Sequence, residues 1–273
     1  MKKHNNKELV IISGCTGTIG EAFFINYLLN NKNCLIYGIS RKGIPVKYFK
    51  SLPEYNSIIN FDITSKASIN NFVSMIPKRT YKIVTYIHLL GQFKTEIDEK
   101  HLKYKIENDH DHDGIDDEVN RLVYTSFCLM VNSLNKTHKN SKTRINIIQI
   151  GSLTDKYRME CFQSWWKAKI KTLEFITPLI KNNKFLNHYL INVSTILSTK
   201  EFVDRPHVFV TDANPKFWLS PEKLASETTK IVKNKKGLIE KDIFIPNPNF
   251  SHDYFSEKRI YERRIKELFN KSL

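Results

Sequence analysis

Short β-branched runs alternate with helix-period stretches along the whole chain of 273 residues. Strand candidates fall at 8–12, 34–39, 57–61, 83–90, 145–150, 188–193 and 242–245. Between them Ile69, Phe72, Val73 and Ile76 sit at i, i+3, i+4 and i+7, a single buried helical stripe. A helix is predicted over Glu21 to Asn30, and two long ones over 116–135 and 162–182, on either side of the strand at 145–150. Ser220-Pro221-Glu222 opens another, with a capping hydroxyl, a proline at the first position and an acid in the first turn. The alternation predicts an α/β fold, a doubly wound parallel sheet of about seven strands flanked by helices.

Two stretches break the pattern. Residues 94–114 are charged and aperiodic, which reads as a rim insertion. Residues 198–218, with Pro206 and Pro215, read as a long irregular loop beside the site, either a substrate lid or ordinary surface packing. At the end, 253–273 spaces Ile260, Ile265, Leu268 and Phe269 along one helical face, which is expected to pack on the domain or a partner subunit. No repeat or linker divides the chain, so 1–273 is taken as one domain, long enough to bury about three quarters of its unfolded surface.

The first strand runs directly into three glycines spaced three apart. In Ser13-Gly14-Cys15-Thr16-Gly17-Thr18-Ile19-Gly20 one glycine makes the tight turn, one admits phosphates to the backbone, and one lets the helix pack on the strand. The helix start then offers unpaired N–H groups to an anion. This strand-turn-helix unit is how a Rossmann-type sheet receives a dinucleotide, and a purely structural βα turn is the alternative. The second strand ends in Gly38-Ile39-Ser40-Arg41-Lys42, two cations and no carboxylate. An acid there would hold the ribose 2′-hydroxyl of NAD, whereas an arginine accommodates the 2′-phosphate of NADP. NADP(H) is therefore favoured over NAD(H), against the plainer reading of a solvated basic turn.

Charge and cysteine usage narrow the partners. The formal net charge is +15, yet Glu107 to Glu118 carries seven acids and no Lys or Arg. The bases are spread over helix ends and loops without interleaved aromatics, which argues against nucleic acid and suits attraction of small anionic ligands. Cys15, Cys34, Cys128 and Cys161 are scattered, as in a reduced intracellular protein. The N-terminal Met-Lys-Lys precedes an apolar core too short for a signal peptide, and no segment is long enough to span a bilayer. The expectation is a cytoplasmic protein acting on a small molecule, with no membrane partner.

With these motifs in place, the chain resembles the short-chain dehydrogenase/reductase family over nearly its whole length. The glycine turn is similar to the GxxGxxG spacing of extended and atypical members, which implies cofactor contacts at Gly14, Thr16, Gly17, Thr18, Ile19 and Gly20 and, beyond the second strand, at Ser40 and Arg41. Phe61-Asp62-Ile63-Thr64 resembles the adenine-contacting Asp segment after the third strand. His88-Leu89-Leu90-Gly91 occupies the place of the fourth-strand Asn-Asn-Ala-Gly signature and keeps only Gly91. Val193 to Thr199 stands where a Pro-Gly-x-x-x-Thr segment closes over the nicotinamide, with Thr199 retained and Ser194 and Thr195 replacing the Pro and Gly. The resemblance also implies a homodimer or homotetramer.

The catalytic centre departs from the family. Ser152 ends the fifth large strand as the family serine does, and Lys169 matches the lysine of its Tyr-x-x-x-Lys. The tyrosine position holds Trp165. Asn120 resembles the helical asparagine that supports the lysine through water. The tyrosine hydroxyl exchanges a proton with the substrate oxygen, its pKa lowered by the lysine, while the serine holds the carbonyl. An indole offers an N–H but no proton to exchange near neutral pH. Tyr157 and Cys161 are the nearby substitutes, each also readable as an ordinary loop or packing residue. Lys169 is expected to keep its hold on the nicotinamide ribose.

Asp109-His110-Asp111-His112-Asp113-Gly114 opens like a calcium loop, but Asp116 stands at position eight and Asn120 at position twelve. No metal is expected. The run reads as a solvated loop whose last acids, Asp116 to Glu118, favour the following helix start. Three functions stay open: an NADP(H)-dependent oxidoreductase on a carbonyl or alcohol with a rearranged acid/base group, a dinucleotide-binding sensor or partner subunit without turnover, and a nucleotide-sugar binder.

Overall fold

A computed structural model of the chain describes residues 8–31, 33–41, 57–76, 81–91, 97–98, 103–106, 108–139, 141–152, 155, 158, 162–194, 196 and 218–245. In chain order the elements are β1 (Glu8–Ser13), α1 (Thr18–Asn30), β2 (Cys34–Ser40), β3 (Ser57–Asn60), α2 (Lys66–Met75) and β4 (Ile83–His88). A short antiparallel pair, β5 (Ile97–Asp98) and β6 (Lys103–Tyr104), follows. Then come α3 (Asp117–Val119), a π-helical segment (Asn120–Thr125), α4 (Ser126–His138) and β7 (Arg144–Ser152). The last are α5 (Gln163–Asn182), β8 (Leu186–Val193), α6 (Pro221–Asn234) and β9 (Leu238–Ile243).

Seven of these strands form one sheet in the order β3-β2-β1-β4-β7-β8-β9, and every pairing in it is parallel. The chain moves outward through β2 and β3, then returns to the other side of β1 with β4. The crevice beyond the carboxyl ends of β1 and β4 is therefore the switch point at which such sheets bind ligands. Helices cover both faces, so the central strands are apolar on both sides. Val10, Ile12, Ile36, Ile87, Ile148 and Ile191 pack beneath α1 and α6. Leu9, Ile11, Leu35, Tyr86 and Ile147 pack beneath α2, α4 and α5.

Helix starts follow the side-chain signals. Ser65 Oγ accepts from the Ser68 amide, and Ser220 Oγ from Lys223 with Pro221 in the first turn. Asp116 caps α3 through the Glu118 and Val119 amides, while its own amide donates to Ser164 Oγ at 2.7 Å and so ties α3 to the start of α5. The expected stripe holds: Ile69 and Phe72 are buried, with Val73 and Ile76 packed against the same core.

Three expected boundaries move. The last strand was placed at 242–245 but spans Leu238–Ile243. It is a sheet edge on which only Ile243 is buried, so Glu240, Lys241 and Asp242 mask it, while Phe244, which drew the boundary outward, is 48% exposed. The fourth strand stops at His88 instead of residue 90, because the Leu89 amide turns to Ser13 Oγ. The helix expected over 116–135 is interrupted by the π-helical Asn120–Thr125, whose apolar stripe is indistinguishable in sequence from an α-helical one.

The face under α4 and α5 buries polar groups unusually deeply. Phe127 lies edge-on between His88 and His188, at 5.5 and 5.8 Å between ring centres. Both imidazoles are fully buried, and burial together with the nearby Lys169 ammonium pulls each down to about 3 from 6.5. The native state thus refuses protons that the unfolded chain accepts below about pH 6.5. Stability therefore falls as pH drops from about 6.5 toward about 3, by about 1.4 kcal/mol per pH unit for each ring. Urea denaturation across that range should give a shallower slope for His188→Leu than for the parent chain; equal slopes would contradict this.

Candidate functional site

The glycine turn joins β1 to α1 at the switch point. Gly14 takes φ +72°, and its amide donates to the Ile39 carbonyl at 3.0 Å, which seats the turn on β2. Gly17 caps α1 in extended conformation, its amide on the Gly14 carbonyl at 3.0 Å. The helix thus begins at Thr18, three residues before the sequence signal, and Gly20 falls within its first turn. A Cβ on Gly20 would stand 2.2 Å from the Gly14 oxygen, so only glycine lets the helix come this close. Gly17 is different. A Cβ there would meet only the Gly14 oxygen, at 3.4 Å, an ordinary contact. Its φ of −81° suits any residue, so nothing among the described residues requires a glycine at this exposed position. The first turn of α1, with Gly17 and Thr18 exposed and Ile19 half-buried, faces outward as an anion-ready helix start.

Neighbouring residues form one rim. Thr16 Oγ1 and Ser40 Oγ are 2.9 Å apart across the β1 and β2 ends. Arg41 follows, exposed. Past β3, Asp62 Oδ1 accepts from the Thr64 amide and hydroxyl, at 2.9 and 2.7 Å. These bonds hold its carboxyl below the usual range, helped by Arg121 and Arg41. Ile63 is buried in the core beneath. Arg121, on the π-helical segment, donates to Thr64 Oγ1 at 3.1 Å and brings a second guanidinium to this end. Sequence reasoning missed it, since no motif links residue 121 to residue 64.

At the β4 end a buried polar cluster lies at the position where an asparagine was expected from the resemblance. Tyr86 Oη is 2.8 Å from His88 Nδ1, and Ser13 Oγ donates to the Ile87 carbonyl at 3.2 Å. Leu89, Leu90 and Gly91 leave the sheet from this anchor. Across from them, α5 presents Trp165 and Lys169. A Cβ on Gly91 would lie 2.2 Å from the Trp165 ring, so the indole rests directly on that glycine. Lys169 Nζ lies 4.8 Å from the centre of the same ring and donates to the Ile150 carbonyl at 2.6 Å. The lysine is 3% exposed, and burial lowers it to about 8 against the opposing pull of Asp155. Its ammonium is turned to the end of β7 beside the tryptophan. Asn120 opens the π-helical segment packed against α5, and its Oδ1 is buried with no hydrogen-bond donor among the described residues.

Ser152 ends β7, and its amide donates to Asp155 Oδ2 at 2.8 Å. Asp155 was not singled out in the sequence, because it sits in an irregular stretch with no periodicity. Burial pushes its carboxyl up to about 6, against the lowering effects of Lys169, the Ser152 amide and Trp165. Tyr157, Cys161 and Thr199 lie outside the described residues, as do Lys42, most of 198–218 and all of 253–273. Cys15, Cys34 and Cys128 are free thiols, each pushed up to about 12 by burial. Such thiols are poor nucleophiles.

Asp109 and Asp113 of the acidic loop are engaged within the protein, while Asp111 is exposed. Asp109 accepts from the Asp113 and Gly114 amides at 3.1 and 2.9 Å, and Asp113 pairs with Lys171 at 2.5 Å. His110 pairs with Asp117. Gln163 and Lys167 donate to carbonyls of the same loop, which docks it on the first turns of α5. Among the described residues no cluster of His, Cys, Asp and Glu has the arrangement of a metal site, and no helix is long and apolar enough to cross a membrane.

Neither a family model nor a curated protein matches the chain. Solved structures do. Serine dehydrogenase from Escherichia coli is 12% identical with a TM-score of 0.66, over 89% of this chain and 100% of that one. 4-Hydroxyisoleucine dehydrogenase complexed with NADH is 13% identical with a TM-score of 0.68, again over 89% and 100%. A short chain dehydrogenase from Leptospira borgpetersenii serovar Hardjo-bovis with bound NAD+ is 15% identical with a TM-score of 0.65, over 88% and 92%. The chain has the short-chain dehydrogenase fold. Within that fold, the glycine turn, Gly91, Ser152, Trp165 and Lys169 all stand around the carboxyl ends of β1, β4 and β7.

The two glycines of the turn should respond oppositely to an added methyl. Gly20→Ala should destabilise by about 1–3 kcal/mol or more through overpacking. Gly17→Ala should change stability by less than about 1 kcal/mol while sharply weakening nucleotide binding. Thermal unfolding and calorimetric titration of both variants check this; a Gly17→Ala protein that binds as well as the parent would contradict it.

Proposed function

We propose that the chain is an NADP(H)-dependent oxidoreductase acting on a carbonyl or alcohol, with its proton chemistry rearranged around Trp165. The observation that carries this reading is Gly17. The fold's own sterics account for Gly14 and Gly20, whereas a glycine at 17 is explained by something outside the protein that must approach the backbone. A diphosphate at the start of α1 is that ligand, received by the N–H groups of the first turn. The solved structures with this fold include serine dehydrogenase complexed with NADP+, 13% identical with a TM-score of 0.69, which supports a nicotinamide dinucleotide in the same crevice.

The residues of the rim fit such a group. Arg41 stands at the end of β2, where a guanidinium grips a 2′-phosphate through paired hydrogen bonds. The exposed Asp62, already fixed by Thr64, faces the adenosine end. When bound, the dinucleotide supplies or accepts a hydride. The chain's own part is to hold the substrate oxygen near Ser152, to exclude water with Trp165 and Leu90, and to stabilise negative charge with the buried Lys169 ammonium.

A second reading, dinucleotide binding without turnover, is favoured by one observation: the Trp165 ring covers Gly91 and lies against Lys169. Oxidation of NADPH in the presence of small aldehydes and ketones separates the two. For the coenzyme itself, Arg41→Ala should weaken NADPH about tenfold to hundredfold by removing a charged hydrogen-bond pair, and leave NADH nearly unchanged. Calorimetric titration checks it. Equal losses would remove the 2′-phosphate contact, and no heat with any nicotinamide coenzyme would overturn the proposal.

A further inference from the structure

We infer that Asp155 is the residue that exchanges a proton with the substrate oxygen, the task that the indole of Trp165 cannot perform. The inference rests on the oxidoreductase reading above and adds the group it lacks. The geometry begins at the end of β7, three residues past Ser152. Asp155 Oδ2 is pinned by the Ser152 amide at 2.8 Å, which fixes the carboxylate beside the serine that ends the central strand. Gly151, the residue before Ser152 on β7, has no side chain: a Cβ there would stand 3.1 Å from Asp155 Oδ2 and 2.6 Å from Asn192 Oδ1. The carboxylate is thereby admitted close against the strand end. Its other oxygen, Oδ1, is buried, with the Trp165 side chain among the groups that act on the carboxyl.

The Lys169 ammonium and the Trp165 side chain both act on this carboxyl from α5, yet its burial outweighs them, so the anion is incompletely supported beside Ser152 and a proton is readily held. The groups acting on it come from each element packed around it. Lys169 on α5 favours the anion, as do the Ser152 amide on β7 and Trp165 on α5. Glu240 on the β9 edge opposes it, itself held by Asn192 Nδ2 at 2.8 Å with Asp242 at 3.2 Å from the same nitrogen. These opposed fields and the dominant desolvation leave the carboxyl titrating at about 6, close to working pH, where a general acid or base is most effective.

The step balances. In reduction, the Asp155 O–H bond breaks and an O–H bond forms on the substrate carbonyl oxygen while the carbonyl carbon receives a hydride from reduced nicotinamide. The products are the alcohol, the oxidised coenzyme and the Asp155 carboxylate, which Lys169 steadies until solvent returns the proton. In oxidation the same carboxylate removes the hydroxyl proton.

The test compares the full-length chain with Asp155→Asn, which keeps an oxygen for the Ser152 amide, and with Asp155→Ser as a second variant, their folding checked by circular dichroism. NADP+ and NADPH are titrated calorimetrically, near the carboxyl's own pKa, in two buffers of different ionisation enthalpy. Oxidised nicotinamide carries a positive charge that lowers the pKa of a facing carboxyl. The parent chain should therefore release protons on binding NADP+ and not on binding NADPH. Both variants should bind with undiminished affinity and release none. With an aromatic diketone as the carbonyl probe, NADPH oxidation should fall about 10²–10⁴-fold in the variants. Binding without proton release in the parent, equal release in the variants, or equal rates would overturn the role of Asp155 alone. A parent chain that binds neither coenzyme would overturn the oxidoreductase reading and this role with it.

Discussion

The oxygen of Gly14 occupies the space in which any side chain at position 20 would have to lie, and that close approach organises the rest of the molecule. It draws the first turn of α1 against the end of β1, so the helix points its unpaired amides into the crevice where the strand order reverses. The positive φ of Gly14 makes the turn possible, and its amide on Ile39 transmits the position of β1 to β2, where Ser40 and Arg41 follow. Once the turn is set, Gly17 meets only the Gly14 oxygen among the described residues and is left facing outward. A structural constraint and an exposed helix start thus arise from the same three-residue spacing.

A second constraint lies under α4 and α5. Two neutral imidazoles, the Tyr86 hydroxyl and a buried ammonium share one apolar face with Phe127. Such a layer is costly to bury, the more so because both ring nitrogens of His188 lack a hydrogen-bond partner among the described residues. Lys169 is at its centre. Its charge depresses both histidines and favours the Asp155 anion, and its Nζ is fixed to the β7 carbonyl of Ile150. Trp165 belongs to the same layer. Its ring fills the space over Gly91 and lies beside the Lys169 ammonium.

The sequence carried the sheet well because its central strands are apolar on both faces and bounded by turn residues; β1, β2 and the stripe of α2 were legible for that reason. The edge strand β9 was not, since its charged residues look like a loop until Ile243. The π-helical turn at Asn120 was equally hidden, because one extra residue in a helix leaves the hydrophobic pattern almost unchanged. Around the crevice, Gly14, Gly17, Gly20, Ser152 and Lys169 were expected from spacing along one chain segment each. Arg121 and Asp155 were not singled out, because a contact distant in sequence and the burial of a carboxyl are not encoded by a motif. Spacing likewise locates Lys169 on a helix face but says nothing about which carbonyl it will reach.

The most direct measurement is a crystal structure of the full chain with NADP+. The account predicts the diphosphate lying over Gly17 and the first amides of α1, the 2′-phosphate against Arg41, and the nicotinamide edge near Ser152 and Asp155. A coenzyme bound elsewhere, or a diphosphate that leaves Gly17 untouched, would contradict it.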